Sequence, residues 1–147
     1  YIIVGKSDPE SSEYDILLFV SNKLKSFTIP SNIKIISENL FEESFIENVF
    51  ITSQVTTICK YSFSASSIQC IDFQADSQLR IIDKKAFYHS LFKVFIYHTC
   101  KIGIGLDAFS LCCYLQIIEI DDKSELLEFS LKNIEKNVII MSHMKLH

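Results

Sequence analysis

The feature of this sequence that most limits its possible folds is a short phrase, apolar-x-x-apolar-x-apolar, which recurs every 22 to 24 residues. Its first apolar residue stands at Leu24, Ile46, Ile68, Leu91 and Leu115. Self-similarity at a period of about 20–50 residues is typical of solenoids, in which each turn of the chain stacks on the turn before it. The sequence therefore predicts a coil of stacked turns, none of which can bury its apolar face alone.

A second phrase interleaves with the first at the same pitch and ends in phenylalanine. In it, an aliphatic residue is followed five positions later by Phe: Ile36 by Phe41, Ile58 by Phe63, Ile82 by Phe87, and Ile104 by Phe109. Three residues after each Phe comes a small side chain, namely Ser44, Ser66, Ser90 or Cys112. Turns stacked at the strand spacing of ~4.7–4.9 Å place equivalent residues over one another. The interior is therefore predicted to contain a column of phenylalanine rings beside a tight corner that admits only small groups.

The same reasoning predicts where the domain begins and ends. We expect residues 1–23 to form an N-terminal capping segment, residues 24–128 to form about five repeats, and residues 129–147 to form a C-terminal cap and tail. Caps are expected because the terminal turns of a solenoid would otherwise expose its core. Each repeat should carry one strand of a parallel β-sheet on one face, with short strands or 3₁₀ turns on the other faces.

Composition narrows the possible functions of the chain. Its hydrophobic content of 48% over 147 residues is sufficient for a packed core, which argues against disorder. A net charge of −4 offers no basic surface for nucleic acid or for an anionic membrane. The apolar run from Ile16 to Val20 is far shorter than the ~20 residues of a membrane-spanning helix, and no secretory signal pattern opens the sequence. Five cysteines without a CxxC spacing favour reduced, mostly structural thiols, with one opportunistic bridge left open.

Candidate binding residues lie on the strand phrase, between its last two apolar positions. If those two positions point inward, the residue between them points outward; these residues are Thr28, Phe50, Asp72, Phe95 and Glu119. Tyr97 lies beside this row, and aromatic side chains are enriched at binding hot spots. We therefore predict a partner-binding patch formed by Phe50, Asp72, Phe95, Tyr97 and Glu119. The alternatives are that a terminal segment covers these aromatics or that their facing is reversed.

Neither catalysis nor metal binding is indicated by the polar residues. The acidic pairs Glu42–Glu43 and Asp121–Asp122 have no accompanying His, Ser or glycine-rich element with which to converge in a pocket. His98 and Cys100 could meet Cys112–Cys113 on the next turn, but their spacing matches no standard zinc finger. We expect no catalytic residue, no metal and no cofactor, and an enzyme subunit is the weakest hypothesis.

Three stretches of the chain resemble the BspA-like leucine-rich repeats: residues 27–33, 55–63 and 82–87. That family's unit reads L-x-x-I-x-I-P, then V-x-x-I-G, then an Ala-Phe pair with Cys three residues on. The resemblance covers residues 14–127, although the proline after the strand survives only as Pro30 and the glycine only as Gly105.

The resemblance implies a leucine-rich-repeat solenoid from a cell-surface or secreted protein of a bacterium or parasitic protist. It implies adhesion without catalysis, through binding of a host or matrix protein, or of a glycan, on the strand face. The alternative is a structural spacer array that has no ligand of its own.

Overall fold

A computed structural model describes residues 1–97, 99, 101–121, 125–126, 134 and 137–143, and the fold is given for those residues. Within them lie thirteen β-strands. They are β1 (Ile2–Gly5), β2 (Ile16–Val20), β3 (Ser26–Thr28), β4 (Ile35–Ile36), β5 (Asn48–Ile51), β6 (Thr57–Ile58), β7 (Cys70–Phe73), β8 (Ile81–Ile82), β9 (Val94–Tyr97), β10 (Gly103–Ile104), β11 (Ile117–Asp121), β12 (Glu125–Leu126) and β13 (Ile139–His143). The chain is a β-solenoid, as the repeated phrases predict.

One face of the coil, which we call the strand face, carries the first repeated phrase. It consists of two three-stranded parallel sheets, β3-β5-β7 and β9-β11-β13. Equivalent residues pair across neighbouring turns, so that Phe27 lies beside Val49 and Val49 beside Ile71. The sixth strand, β13, falls in the range expected to form the C-terminal cap and pairs in register with β11.

The second aliphatic phrase forms a continuous seven-stranded sheet on another face of the coil, in the order β1-β2-β4-β6-β8-β10-β12. From β2 to β12 the strands are parallel, and the paired residues at its centre are Leu17, Ile36, Ile58, Ile82, Ile104 and Leu126. Strand β1 pairs antiparallel with β2 and so covers the edge of this sheet. An uncovered edge would leave a row of backbone groups open to another chain.

The phenylalanines of the second phrase form the predicted column, which is confirmed. Ring centroids of Phe41 and Phe63 lie 5.0 Å apart, those of Phe63 and Phe87 5.2 Å, and those of Phe87 and Phe109 5.6 Å. Their planes are within 11–16° of parallel. All four side chains are buried, and each ring packs against the ring of the next turn.

Each of the four phenylalanines in the column is flanked by two residues with left-handed backbone conformation. The first lies two positions before the phenylalanine and the second lies two positions after it. The pairs are Asn39 and Glu43, Tyr61 and Ala65, Lys85 and His89, and Asp107 and Leu111, with φ between 52° and 60°. Each such residue costs about 1–2 kcal/mol when it is not glycine. The cost is offset because amides at these corners donate to the next turn, as Phe63 does to the Ala86 carbonyl at 2.8 Å. The coil therefore turns through these hydrogen-bonded corners and through the short strands that were expected, and no 3₁₀ helix occurs among the described residues.

The small residue three positions after each phenylalanine is also explained by the corner. Ser66, Ser90 and Cys112 are buried, and the last two reach the turn that precedes them. The hydroxyl of Ser90 donates to the carbonyl of Phe63 at 2.8 Å, and the thiol of Cys112 donates to that of Phe87 at 3.0 Å. A larger side chain would displace the neighbouring turn, which explains why only Ser and Cys occur.

The N-terminal segment is attached to the first turn by a buried carboxylate. The hydroxyl and the amide of Ser7 donate to Asp15 at 2.5 and 2.8 Å. The backbone carbonyl of Asp15 accepts the amides of Lys34 and Ile35 on the next turn. Two hydrogen bonds from Ser7 lower the pKa of Asp15 below its usual 3.8, and the bond from the hydroxyl has the larger effect. Burial acts in the opposite direction.

Removing a ring from the middle of the column should destabilise the whole coil. We expect Phe87→Ala to lower the free energy of unfolding by about 3–5 kcal/mol, because the cavity lies between turns that cannot close on it. Denaturant unfolding measures the change. Phe45→Ala, at a ring that is 67% exposed, is the matched control and should stay within about 0.5 kcal/mol of the wild type. Equal losses for the two variants would show that the column does not carry the stability of the fold.

The attachment of the N-terminal segment should depend on pH. Since the folded state lowers the pKa of Asp15, its carboxylate stabilises the fold above pH 3.8, and that contribution is lost as pH falls through the lowered value. We expect Asp15→Asn to melt below the wild type near pH 7 and the gap to narrow below about pH 4. Melting curves across this range test it, with the exposed Asp76→Asn expected to follow the wild type. A gap that is the same at every pH would contradict the expectation.

Candidate functional site

The strand face presents two outward rows of side chains, set by the register of its strands. In the first sheet one row contains Thr28, Phe50 and Asp72, and Phe50 is 38% exposed. Asp72 is also exposed, whereas Glu119, in the second sheet, is half-buried. The structure thus places these three predicted site residues on the strand face, at β5, β7 and β11.

The outward assignment of Phe95 and Tyr97 is wrong. Their side chains are 0% and 2% exposed, because Phe95 pairs with Ile118 and Tyr97 with Ile120, both of which point into the core. The residues that occupy the outward positions of β9 are Val94 and Ile96, which are 39% and 46% exposed.

The error lies in the register of the fourth repeat, whose phrase begins at Phe92 rather than at Leu91. Phe92 is buried and Leu91 exposed, so the inward ladders continue through Phe92, Phe95 and Tyr97 instead of Leu91, Val94 and Ile96. One spacing in the sequence would have predicted the correct register of this repeat. The first apolar residue follows the phenylalanine of the column by five positions in the earlier repeats, as Ile68 follows Phe63, and Phe92 follows Phe87 by the same distance.

Large aromatic side chains fill the core between the third and fourth turns. The ring of Phe73 packs edge-on against those of Phe95 and Tyr97, at centroid distances of 5.8 and 4.9 Å. The hydroxyl of Tyr97 lies 3.2 Å from the Ser77 hydroxyl and 3.3 Å from the Leu79 carbonyl. Tyr97 therefore occupies the room made by the two extra residues that the third repeat carries between Phe73 and Leu79.

The strand face is divided where these rings pack. Strands β7 and β9 are successive turns of the coil, yet no ladder of hydrogen bonds joins them. Elsewhere on the face, aliphatic side chains such as Val49 and Ile71 separate the turns, and the strands pair. The edge-on packing of Phe73 against Phe95 and Tyr97 coincides with this division.

A groove of about 590 Å³ opens at this division, and we call it the cleft. Its walls are Gln69, Cys70, Ile71 and Asp72 on one side and Leu91, Lys93, Val94, Ile96 and Tyr114 on the other. Cavities of about 300–1,000 Å³ with apolar walls and a few polar groups are typical of binding sites. Asp72 also borders a shallower depression beside Phe50, so the cleft continues onto the first sheet.

The two sheets differ in the chemistry of their outward rows. The first sheet presents mainly polar groups, namely Ser26, Thr28, Asn48, Cys70 and Asp72, with Phe50 among them. The second sheet presents Val94, Ile96, Ile117, Ile139 and Met141, with Glu119 among them. An exposed apolar surface of this kind on a folded chain usually marks an interaction site. The cleft lies where the polar and apolar halves meet.

The thiols of the described residues form no disulfide with one another. Cys59, Cys70, Cys112 and Cys113 are free, and burial raises the pKa of Cys112 to about 12. Burial also raises the pKa of Cys70, helped by the hydrogen bond that its thiol donates to Asp72 at 3.3 Å.

Some of the residues that the sequence offered as catalytic or metal-binding candidates cannot be located. His98, Cys100 and Asp122 lie outside the described residues. Among those that are described, no three His, Cys, Asp or Glu side chains are grouped as metal ligands would be. Nor, within the same residues, is any helix long and apolar enough to cross a membrane.

Stacked turns of 22–24 residues with a parallel sheet on one face define a leucine-rich-repeat solenoid. The chain belongs to the family described as the BspA type leucine rich repeat region, whose model matches residues 16–140 in six copies. The six copies agree in number with the six strands of the strand face. The resemblance inferred from residues 14–127 is thereby confirmed.

Among solved structures, the chain is similar to the crystal structure of the pneumococcal vaccine antigen PcpA. The TM-score is 0.65 at 21% sequence identity, and the match covers 86% of this chain and 39% of that one. At this identity the likeness concerns the fold alone. The chain thus spans about two fifths of the length of that structure. A comparison with curated proteins finds no match.

The hydroxyl of Tyr97 should contribute to stability although it contributes nothing to the outer surface. We expect Tyr97→Phe to lower the free energy of unfolding by about 0.5–1.5 kcal/mol, since buried groups of Ser77 and Leu79 lose its hydrogen bonding. Tyr114→Phe, at a side chain that is 58% exposed, is the control and should change stability by less than about 0.5 kcal/mol. Denaturant unfolding of both variants compares them; identical midpoints would contradict a role for the buried hydroxyl.

Proposed function

We propose that this chain is a non-enzymatic recognition domain that binds a partner protein on its strand face, as part of a cell-surface or secreted adhesin. The observation that carries the proposal is the cleft, together with the exposed apolar row of the second sheet. Within the described residues this is a large exposed apolar area flanked by polar and charged groups, the arrangement common at protein interfaces.

The rigidity of the face supports this assignment. Its strands are tied to neighbouring turns by ladder hydrogen bonds and to the interior by fully buried side chains such as Val49, Ile118 and Ile120. A preorganised surface loses little conformational freedom on binding, so more of the interaction energy appears as affinity. Solenoids characteristically use extended surfaces of this kind for recognition.

Aromatic and aliphatic side chains around the cleft support the proposal. Phe50 lies on the first sheet, and Val94, Ile96 and Tyr114 line the cleft on the side of the second sheet. Asp72 and Lys93 lie at the same opening and supply charges of both signs. The apolar groups would supply affinity and the charges would select the partner and its orientation.

Family membership supports the proposed placement at the cell surface. The competing assignment is a spacer array, which would hold another domain away from a surface and bind nothing itself. A spacer has no need of an open apolar cleft, and exposed apolar area of this kind carries a risk of aggregation. We therefore favour recognition over a spacer role.

The test places a charge in the proposed interface. Binding of the wild-type chain to a panel of extracellular-matrix and cell-surface proteins is measured, and the variant Ile96→Glu is compared on each protein that binds. We expect the affinity to fall by at least about tenfold, because a carboxylate buried without a partner is strongly unfavourable.

The matched control is Ile81→Glu. Ile81 is 48% exposed on strand β8 of the seven-stranded sheet, so it resembles Ile96 in exposure and residue type but lies on another face. Binding should survive this change. If no protein of the panel binds, or if Ile96→Glu binds as the wild type does, the spacer assignment is favoured instead.

A further inference from the structure

A second cavity, of about 150 Å³, lies at the N-terminal end of the coil. It is enclosed between residues 19–24 and the corner around Phe41, which we call the first corner. A cavity of roughly this volume admits a molecule the size of benzene. It shares no lining residue with the cleft, so it is a separate feature of the molecule.

The hydroxyl of Ser44 is buried at this cavity and lacks a hydrogen-bond partner. At the same position of later turns, Ser66 and Ser90 both donate to the carbonyl of Phe63, at 2.7 and 2.8 Å. Among the described residues, no other buried side-chain oxygen or nitrogen is left in this condition. A buried polar group is normally paired, because leaving it unpaired is unfavourable. Ser44 therefore indicates that a polar atom belongs in the cavity.

The backbone of the first corner adds acceptors to the same space. Its amides point to the second turn, as that of Phe41 does in donating to the Ser62 carbonyl at 2.7 Å. The carbonyls of Ser62 and Ser64 accordingly point back to the first corner. By the same geometry the carbonyls of Leu40 and Glu42 point back towards residues 19–24, and none of the described residues donates a hydrogen bond to them.

The charges at the cavity are negative. Glu42 and Glu43 are exposed and line its opening, and no cationic side chain lines it. Of the two lysines that flank Leu24, Lys25 forms an ion pair with Glu47, and Lys23 is exposed. Carboxylates and carbonyl oxygens together favour a cation over an anion or a neutral group.

We propose that this cavity binds a primary alkylammonium group, the chemistry of a lysine side chain or of a free amine. An ammonium carries three donors and no acceptor, which suits the carbonyls of Leu40 and Glu42 and the hydroxyl of Ser44. The carboxylate of Glu43 balances the charge, as a partly buried cation requires.

The apolar wall selects the rest of the ligand. Phe19, Leu24 and Ile46 line the cavity beside the polar groups, so a short alkyl chain packs against them while its ammonium meets the oxygens. A guanidinium is a rigid planar fork that suits a carboxylate or phosphate, whereas an ammonium is a compact charge with rotatable donors. This site goes beyond the proposed function, because neither the cleft nor the strand face supplies its polar groups.

The probe is n-butylammonium, titrated into the wild-type chain and followed by the backbone amide resonances. We expect saturable shifts confined to residues 19–24 and 40–46. The neutral analogue n-butanol should bind at least about tenfold more weakly, since hydrogen bonds to a charged donor are the stronger ones. Nα-acetyl-lysine N-methylamide and putrescine then distinguish the sources: the tighter of the two assigns the site to a protein lysine or to a free diamine.

Two serine variants provide the matched comparison. Ser44→Ala should weaken n-butylammonium binding by at least about tenfold, while its melting temperature stays level or rises because an unpaired buried hydroxyl is removed. Ser66→Ala should do the reverse, since its hydroxyl is bonded to Phe63 and lies away from the cavity: a lower melting temperature with unchanged affinity.

The charge is tested by Glu43→Gln, which should weaken binding, against Asp76→Asn, which removes a carboxylate outside the cavity and should not. The proposal is overturned if n-butylammonium gives no saturable shifts, if n-butanol binds as tightly, or if Ser44→Ala and Glu43→Gln both bind as the wild type does. Ile96→Glu should bind n-butylammonium normally, so failure of this site and failure of recognition on the strand face are told apart.

Discussion

The structure depends on face-to-face packing of one phenylalanine per turn. Each ring lies 5.0–5.6 Å from the next and closes the interior of its own turn only because the neighbouring turn covers it. The left-handed corner residues, the small Ser or Cys beside them and the short strands all keep successive rings in register. Stability is therefore shared between neighbours, as is general for solenoids. It follows that a change in the packing of one turn is felt by the turn stacked on it.

The cleft is a consequence of this coupling. Phe73, Phe95 and Tyr97 bring three rings into the space that aliphatic residues fill elsewhere, while the extra residues of the third repeat receive the hydroxyl of Tyr97. The seven-stranded sheet stays continuous through these turns, so the additional volume is accommodated on the strand face alone. The cleft thus opens beside these core rings, although none of the three lines it.

The proposed recognition rests on the contrast between the two halves of the strand face. The polar first sheet and the apolar second sheet meet at an opening that has both charge signs and unpaired backbone edges. A regular solenoid would present one uniform sheet with every ladder bond made. Under the proposed function, apolar contact and charges of both signs at the interruption would together distinguish one partner from another.

The sequence by itself determined the period, the parallel sheets and the phenylalanine column, because the same offsets recur in consecutive repeats and stacking follows from them. It also placed Phe50 and Asp72 on the strand face. It did not determine the facing of Phe95 and Tyr97, because residues 91–97 are apolar at every position except Lys93 and either register buries a similar stripe. Tertiary packing decided that register, since Phe95 and Tyr97 must lie over Ile118 and Ile120 and only Tyr97 can reach Ser77. The division of the sheet likewise coincides with contacts between rings of different turns, which no local pattern expresses.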